Sequence, residues 1–212
     1  MRNALLALSL ALSAPVAAEP MRLVALGDSL TQGYGLPPED GFVPQLQRWL
    51  AERGRSVEVI NAGVSGDTTA GGKARVAWTL ADGADAMIVT LGGNDLLRGI
   101  APEVSRANLD AILTEAAARG VAVLLVAMEA PGNYGPQYRA AFDAIYPELA
   151  EQHGVLLAGN FLGPLIDGTG DAAGLRAYLQ PDGIHPNAQG VARIVEGLGP
   201  RVLELLDLAA GS

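Results

Sequence analysis

The 212-residue chain has no cysteine. Disulfides, thiolate metal sites and a cysteine nucleophile are therefore excluded. Histidine occurs only at His153 and His185, which leaves few good ligands for a transition metal. Neither a metal nor another cofactor is expected. Aromatic residues are 5% of the chain, a poor supply for a sugar-stacking platform. Basic residues are outnumbered, 14 Lys and Arg against 23 Asp and Glu, for a formal net charge of −9. An acidic protein repels phosphate backbones, so nucleic acid is not an expected partner. Long apolar runs are missing as well. The one at the N-terminus, Ala4 to Leu12, falls well short of the roughly 20 residues of a membrane span, so stable membrane insertion is not expected.

That N-terminal run has another reading. Arg2 supplies a positive start, the apolar core is short, and Val16-Ala17-Ala18 offers small residues for cleavage. Residues 1–18 read as a secretory signal peptide, which predicts an exported protein, periplasmic or secreted. The remainder, 19–212, is long enough for one globular domain with a proper core, and cramped for two. Nothing in it demands more than a monomer.

Hydrophobic residues make up 50% of the chain and are grouped in short runs. Residues 21–26, 57–60, 86–91, 121–126 and 155–157 read as strands, bounded by glycine or turn residues. Between them, apolar residues recur at helical spacing over 41–53, 69–81, 102–119 and 137–153. A closing helix covers 187–208, with a kink or split expected at Gly197, Gly199 and Pro200. Residues 28–38 and 128–136 read as loops. Residues 158–183 read as irregular, with one helical turn near 172–178. Continuous apolar strands alternating with helices predict a parallel sheet covered on both faces, a three-layer α/β/α fold.

Chemistry-bearing residues gather at the ends of these strands. Gly27-Asp28-Ser29 follows the first, Asn61-Ala62-Gly63 the second and Gly92-Gly93-Asn94-Asp95 the third. In an open α/β sheet these ends share one ligand-binding edge. Asp182-Gly183-Ile184-His185 precedes the last helix and can swing over that edge. A serine hydroxyl needs a base before it attacks, and His185 has the right chemistry. The imidazolium so formed needs a carboxylate, and Asp182 lies three residues upstream. A tetrahedral intermediate needs donors for its oxyanion; the backbone N–H of Ser29, the N–H of Gly63 and the side-chain amide of Asn94 are available. Blander roles are assigned elsewhere: Asp28 and Asp95 hold loops, Asn61 forms a turn, His153 caps a helix end, and Trp49 and Met128 belong to the core.

Taken together, Gly27-Asp28-Ser29-Leu30, Gly63, Gly92-Gly93-Asn94-Asp95 and Asp182-Gly183-Ile184-His185 resemble, in order, the four blocks of the SGNH hydrolases, or GDSL esterases/lipases. Gly33-Tyr34-Gly35-Leu36-Pro37, the Gly63 to Thr69 stretch and Asn133-Tyr134-Gly135 are similar to the arylesterase, acyl-CoA thioesterase and lysophospholipase group of bacterial members. The resemblance implies a flavodoxin-like five-stranded parallel sheet. It also implies a Ser29, Asp182, His185 triad and an oxyanion hole of Ser29, Gly63 and Asn94. The implied substrates are small-molecule esters and thioesters: aryl esters, short- to medium-chain acyl esters, acyl-CoA and lysophospholipids. Thr31 stands where a Gly-x-Ser-x-Gly elbow would need its second glycine, so the serine block differs from that of the α/β-hydrolases.

Two other functions fit parts of this pattern. One is a carbohydrate O-acetylesterase, disfavoured by the few aromatics. The other is a ligand-binding protein on an esterase fold, disfavoured by the intact serine, aspartate and histidine. The small, polar residues of 64–72 and 128–136 are expected to flank the site and to reshape around varied acyl groups.

Overall fold

Each expected strand is present, and all five pair parallel in the order β2-β1-β3-β4-β5: β1 (Met21–Gly27), β2 (Val57–Gly63), β3 (Ala86–Thr90), β4 (Ala122–Val126) and β5 (Leu156–Ala158). The computed structural model describes residues 19–167 and 172–211. The expected signal peptide, 1–18, lies outside the described residues, as does 168–171 of the irregular stretch. Leu23 to Leu26 of β1 and Met87 to Val89 of β3 are almost completely buried, as a sheet covered on both faces requires. β2 is an edge strand and alternates: Val57 and Val59 face inward, while Glu58 is exposed.

The helices are α1 (Ser29–Gln32), α2 (Phe42–Glu52), α3 (Thr69–Thr79), α4 (Gly93–Leu97), α5 (Pro102–Ala118), α6 (Pro136–Asp143), α7 (Ile145–His153), α8 (Gly163–Asp167), α9 (Ala172–Arg176) and α10 (Ala188–Ala210). α10 packs against α2 and α8, while α5 packs against α3 and α7, so helices lie on both sides of the sheet. The order of connection reverses between β1 and β3. Such a reversal opens a crevice at the carboxyl ends of the strands. Among the described residues, no helix is long and apolar enough to cross a membrane.

Three helical expectations need correction. The stretch 137–153 is two helices, α6 and α7, meeting at Ala144. Pro147 has no N–H to donate to the carbonyl of Asp143, which breaks the hydrogen-bond ladder there. The stretch 28–38 is not a plain loop, because α1 starts within it; α4 likewise starts directly after the third strand, at Gly93. The closing helix is not split: α10 runs through Pro200 for 23 residues. Its buried stripe, from Val191 to Leu206, crosses the proline without interruption, and packing outweighs the one lost donor.

The glycines of α10 are contact sites rather than breaks. A Cβ at Gly197 would meet the Pro164 ring at 2.4 Å, and one at Gly199 the Trp49 ring at 2.3 Å. Trp49 is held there, with its indole N–H donating to Glu196. Gly199→Ala is expected to destabilise by about 1–3 kcal/mol through overpacking. Helix propensity alone would stabilise the variant by about 1 kcal/mol. Urea unfolding reads the sign directly, and a raised midpoint would show that Trp49 can move aside.

Candidate active site

The end of β1 turns tightly into α1. A Cβ at Gly27 would lie 2.0 Å from Thr31 Oγ1 and 3.0 Å from the Thr90 carbonyl, so only glycine lets β1, β3 and α1 come this close. Asp28 caps α1 by accepting from the Leu30 N–H at 3.0 Å. Ser29 is the first residue of α1, carried to the sheet edge by that turn.

Asp182 and His185 reach Ser29 from the far end of the chain. Asp182 Oδ1 accepts from the backbone N–H groups of Ile184, at 2.9 Å, and His185, at 3.0 Å. Gly183, at φ 69°, permits this tight turn. Asp182 Oδ2 lies 2.7 Å from His185 Nδ1, and His185 Nε2 lies 2.9 Å from Ser29 Oγ. The hydrogen bond from His185, then those from the two backbone amides, hold the Asp182 carboxyl down at about 2. It is therefore an anion that can only accept. Nδ1 must carry the proton, which leaves Nε2 free to accept from the serine hydroxyl.

The loop bearing these residues is anchored by two side chains that sequence reasoning missed. Gln180 Nε2 donates to the carbonyls of Tyr34, at 2.8 Å, and Pro186, at 2.9 Å. Asn187 caps α10 by accepting from Gly190 N–H, and its amide donates to the carbonyls of Ala177 and Leu179. The Asn-x-x-Gly start of α10 was a readable cap signal; nothing local marks Gln180. The Tyr34 ring lies against His185, with centroids 4.7 Å apart.

Asn94 sits in the first turn of α4, and its amide donates to Asp28 Oδ2 at 3.2 Å. Asp28 is 2% exposed. Burial pushes its carboxyl up to about 6, against the lowering effect of the bonds from Leu30 and Asn94. Asp95, also buried, accepts from the N–H of Thr69 at 2.9 Å and from the hydroxyls of Thr69 and Ser105 at 2.6 and 2.8 Å. It ties the start of α3 to α4 and α5. The loop-holding roles read for Asp28 and Asp95 are thus observed, and so is the turn role of Asn61.

That turn corrects the expectation for Gly63. It is the last residue of β2, and its N–H donates to Asn61 Oδ1 at 3.0 Å. Gly63 is also packed: a Cβ there would lie 2.3 Å from the Gln32 nitrogen. Gly66, three residues on, lines the crevice beside Ser29 and Asn94, at φ 80°. Among the described residues, no hydrogen bond engages its N–H. The signal was in the sequence, since Gly66-Asp67-Thr68 is a second glycine turn after the same strand.

These groups open into a cavity of about 600 Å³. Leu30, Leu96, Leu97, Met128, Leu162 and Ile184 form apolar walls, and Ser65, Gly66 and Tyr134 place the two small-residue loops on its rim. Met128 is therefore both core and cavity wall. Trp49 is core alone. His153 ends α7, its Nε2 2.7 Å from Asp110, away from the crevice.

Comparison with known proteins gives the family. The GDSL-like Lipase/Acylhydrolase family matches residues 25–193. Esterase TesA of Pseudomonas aeruginosa is 41% identical over 185 residues, covering 87% of this chain and 89% of that protein. Thioesterase 1/protease 1/lysophospholipase L1 of Escherichia coli K12 is 34% identical over 188 residues, covering 87% and 85%. Among solved structures, the SGNH-hydrolase family esterase AlinE4 superposes with a TM-score of 0.73 at 40% identity, over 90% of this chain and 99% of that one. Because the match runs from the strand that opens the site to the helix that closes it, the chain belongs to the GDSL-like lipase/acylhydrolase family, the SGNH hydrolases, and is an ester-hydrolysing enzyme.

Proposed function

We propose that the enzyme hydrolyses carboxylic esters and thioesters through an acyl-enzyme on Ser29. The hydrogen-bonded chain from Ser29 Oγ through His185 to Asp182 carries this reading. His185 takes the hydroxyl proton as Oγ attacks the carbonyl carbon, and Asp182 stabilises the imidazolium. The oxyanion is met by the N–H of Ser29, the amide of Asn94 and the N–H of Gly66, which replaces Gly63 because Gly66 lines the crevice and its N–H is unengaged, whereas that of Gly63 is bonded to Asn61. His185 then protonates the leaving alcohol or thiol. In the second half it takes a proton from water as the water oxygen attacks the acyl carbon; the bond to Ser29 Oγ then breaks, His185 returns the proton to Oγ, and the acid leaves.

The apolar walls favour short- to medium-chain acyl groups; aryl esters, acyl-CoA and lysophospholipids are the further substrates of this reading. Each buried methylene is worth about 0.8 kcal/mol, so kcat/KM should climb from p-nitrophenyl acetate towards the hexanoate. A profile highest on acetate would instead favour an O-acetylesterase. Labelling by a fluorophosphonate probe tests the nucleophile itself: a ligand-binding protein on this fold would not react. The signal-peptide pattern of residues 1–18 supports export.

A further inference from the structure

We propose that Arg75 is a positioning residue for the oxyanion hole, fixing the peptide segments that carry Ser29 and Gly66 relative to each other. The inference rests on the reading of Ser29 as nucleophile. Arg75 projects from α3 beneath the strand ends, and its guanidinium makes three bonds. Nη2 donates to the Gly27 carbonyl at 2.9 Å, Nη1 to the Ala62 carbonyl at 2.8 Å, and Nε to Asp67 Oδ2 at 2.7 Å. Gly27 stands two residues before Ser29. Ala62 is the penultimate residue of β2, and Asp67 adjoins Gly66. One rigid group therefore spans the end of β1, the end of β2 and the loop bearing the third donor.

Several features show that the site is built for this contact. The Arg75 and Asp67 side chains are 20% and 18% exposed, so the pair is shielded from water. A Cβ at Gly71 would lie 2.1 Å from Asp67 Oδ1, so the carboxylate can fold over the first turn of α3 only because residue 71 is glycine. On its other side the loop is held by Arg98, which donates to the Gly66 carbonyl at 2.8 Å. The Gly27 carbonyl also accepts from Val64 N–H at 3.0 Å, which closes the loop onto β1. A lysine could supply the charge but not the planar fork that reaches three acceptors at once. None of these bonds touches substrate. Their effect is to keep two backbone N–H groups converging on one point, and small displacements of such donors are costly in the transition state.

The test is Arg75→Lys, measured with p-nitrophenyl butyrate, a trifluoromethyl ketone and butyrate. The ketone forms a tetrahedral adduct that loads the oxyanion hole, and butyrate does not. Arg75→Lys should lower kcat about tenfold to a hundredfold with KM changed less than about threefold. Ketone affinity should fall by the same factor and butyrate affinity should hold. Gly71→Ala, which displaces Asp67 while leaving Arg75 in place, should reproduce this split and decides the matter if Arg75→Lys does not fold. The inference is overturned if kcat and ketone affinity change less than about twofold. It is equally overturned if ketone and butyrate affinities fall together with the melting temperature, since that is loss of fold rather than of donor geometry. A wild-type enzyme that no fluorophosphonate labels would remove the nucleophile reading, and this inference with it. A labelled wild type with an unaltered Arg75→Lys removes this inference alone.

Discussion

Ser29→Ala should lower the hydrolysis of p-nitrophenyl esters by at least about a thousandfold. The substitution removes one oxygen and leaves the cavity, Asn94 and the Asp182–His185 pair in place. Substrate binding should therefore persist, with KM changed little, while the covalent step disappears. Whatever rate remains measures the oxyanion donors acting on direct water attack, and it should stay above the uncatalysed rate. His185→Ala should cost about as much, and the double variant little more, because nucleophile and base act as one unit. Fluorophosphonate labelling should vanish with Ser29→Ala. If that variant hydrolyses as fast as wild type, the hydrogen bond from Ser29 to His185 is incidental and the esterase activity lies elsewhere.

Much of this was legible because the signals were local. Apolar runs closed by glycine mark β1 and β3, and the residues after them reach the sheet edge by topology alone. Asp182 and His185 could be paired from a three-residue spacing on a turn. The errors arose where a role depends on register or on a distant partner. Gly63 and Gly66 both follow the apolar run 57–60, and only the observed length of β2, with the Asn61 side chain folded onto Gly63, shows which N–H is unengaged. Pro147 was readable as a helix breaker but lay within a strong apolar period. Arg75 and Gln180 carry no local signal, since their acceptors are up to 146 residues away in the chain. Gly199 reads as a helix breaker until the Trp49 ring beside it is known.

Asp28→Asn should stabilise the protein at neutral pH while slowing it. Asp28 is buried and its carboxyl is raised from 3.8 to about 6, mainly because burial disfavours the charge. Between those values the folded state keeps a proton that the unfolded chain has lost, so stability falls as pH rises through this window. Below the unfolded value the effect is absent, and above the folded value it is complete, at about 3 kcal/mol. Asparagine does not titrate, and its oxygen still accepts from the Leu30 N–H. The stability difference between variant and wild type should therefore grow by about that amount from acid to neutral pH. Activity should move the other way. Asp28 Oδ2 orients the Asn94 amide, and an NH₂ in its place sets donor against donor, which loosens the oxyanion hole. A stabilised but slower enzyme is what a charge kept buried for catalysis predicts. Chemical unfolding across this pH range reads the difference, and a flat result would show that Asp28 titrates as an ordinary carboxylate and that Asn94 is held by packing instead.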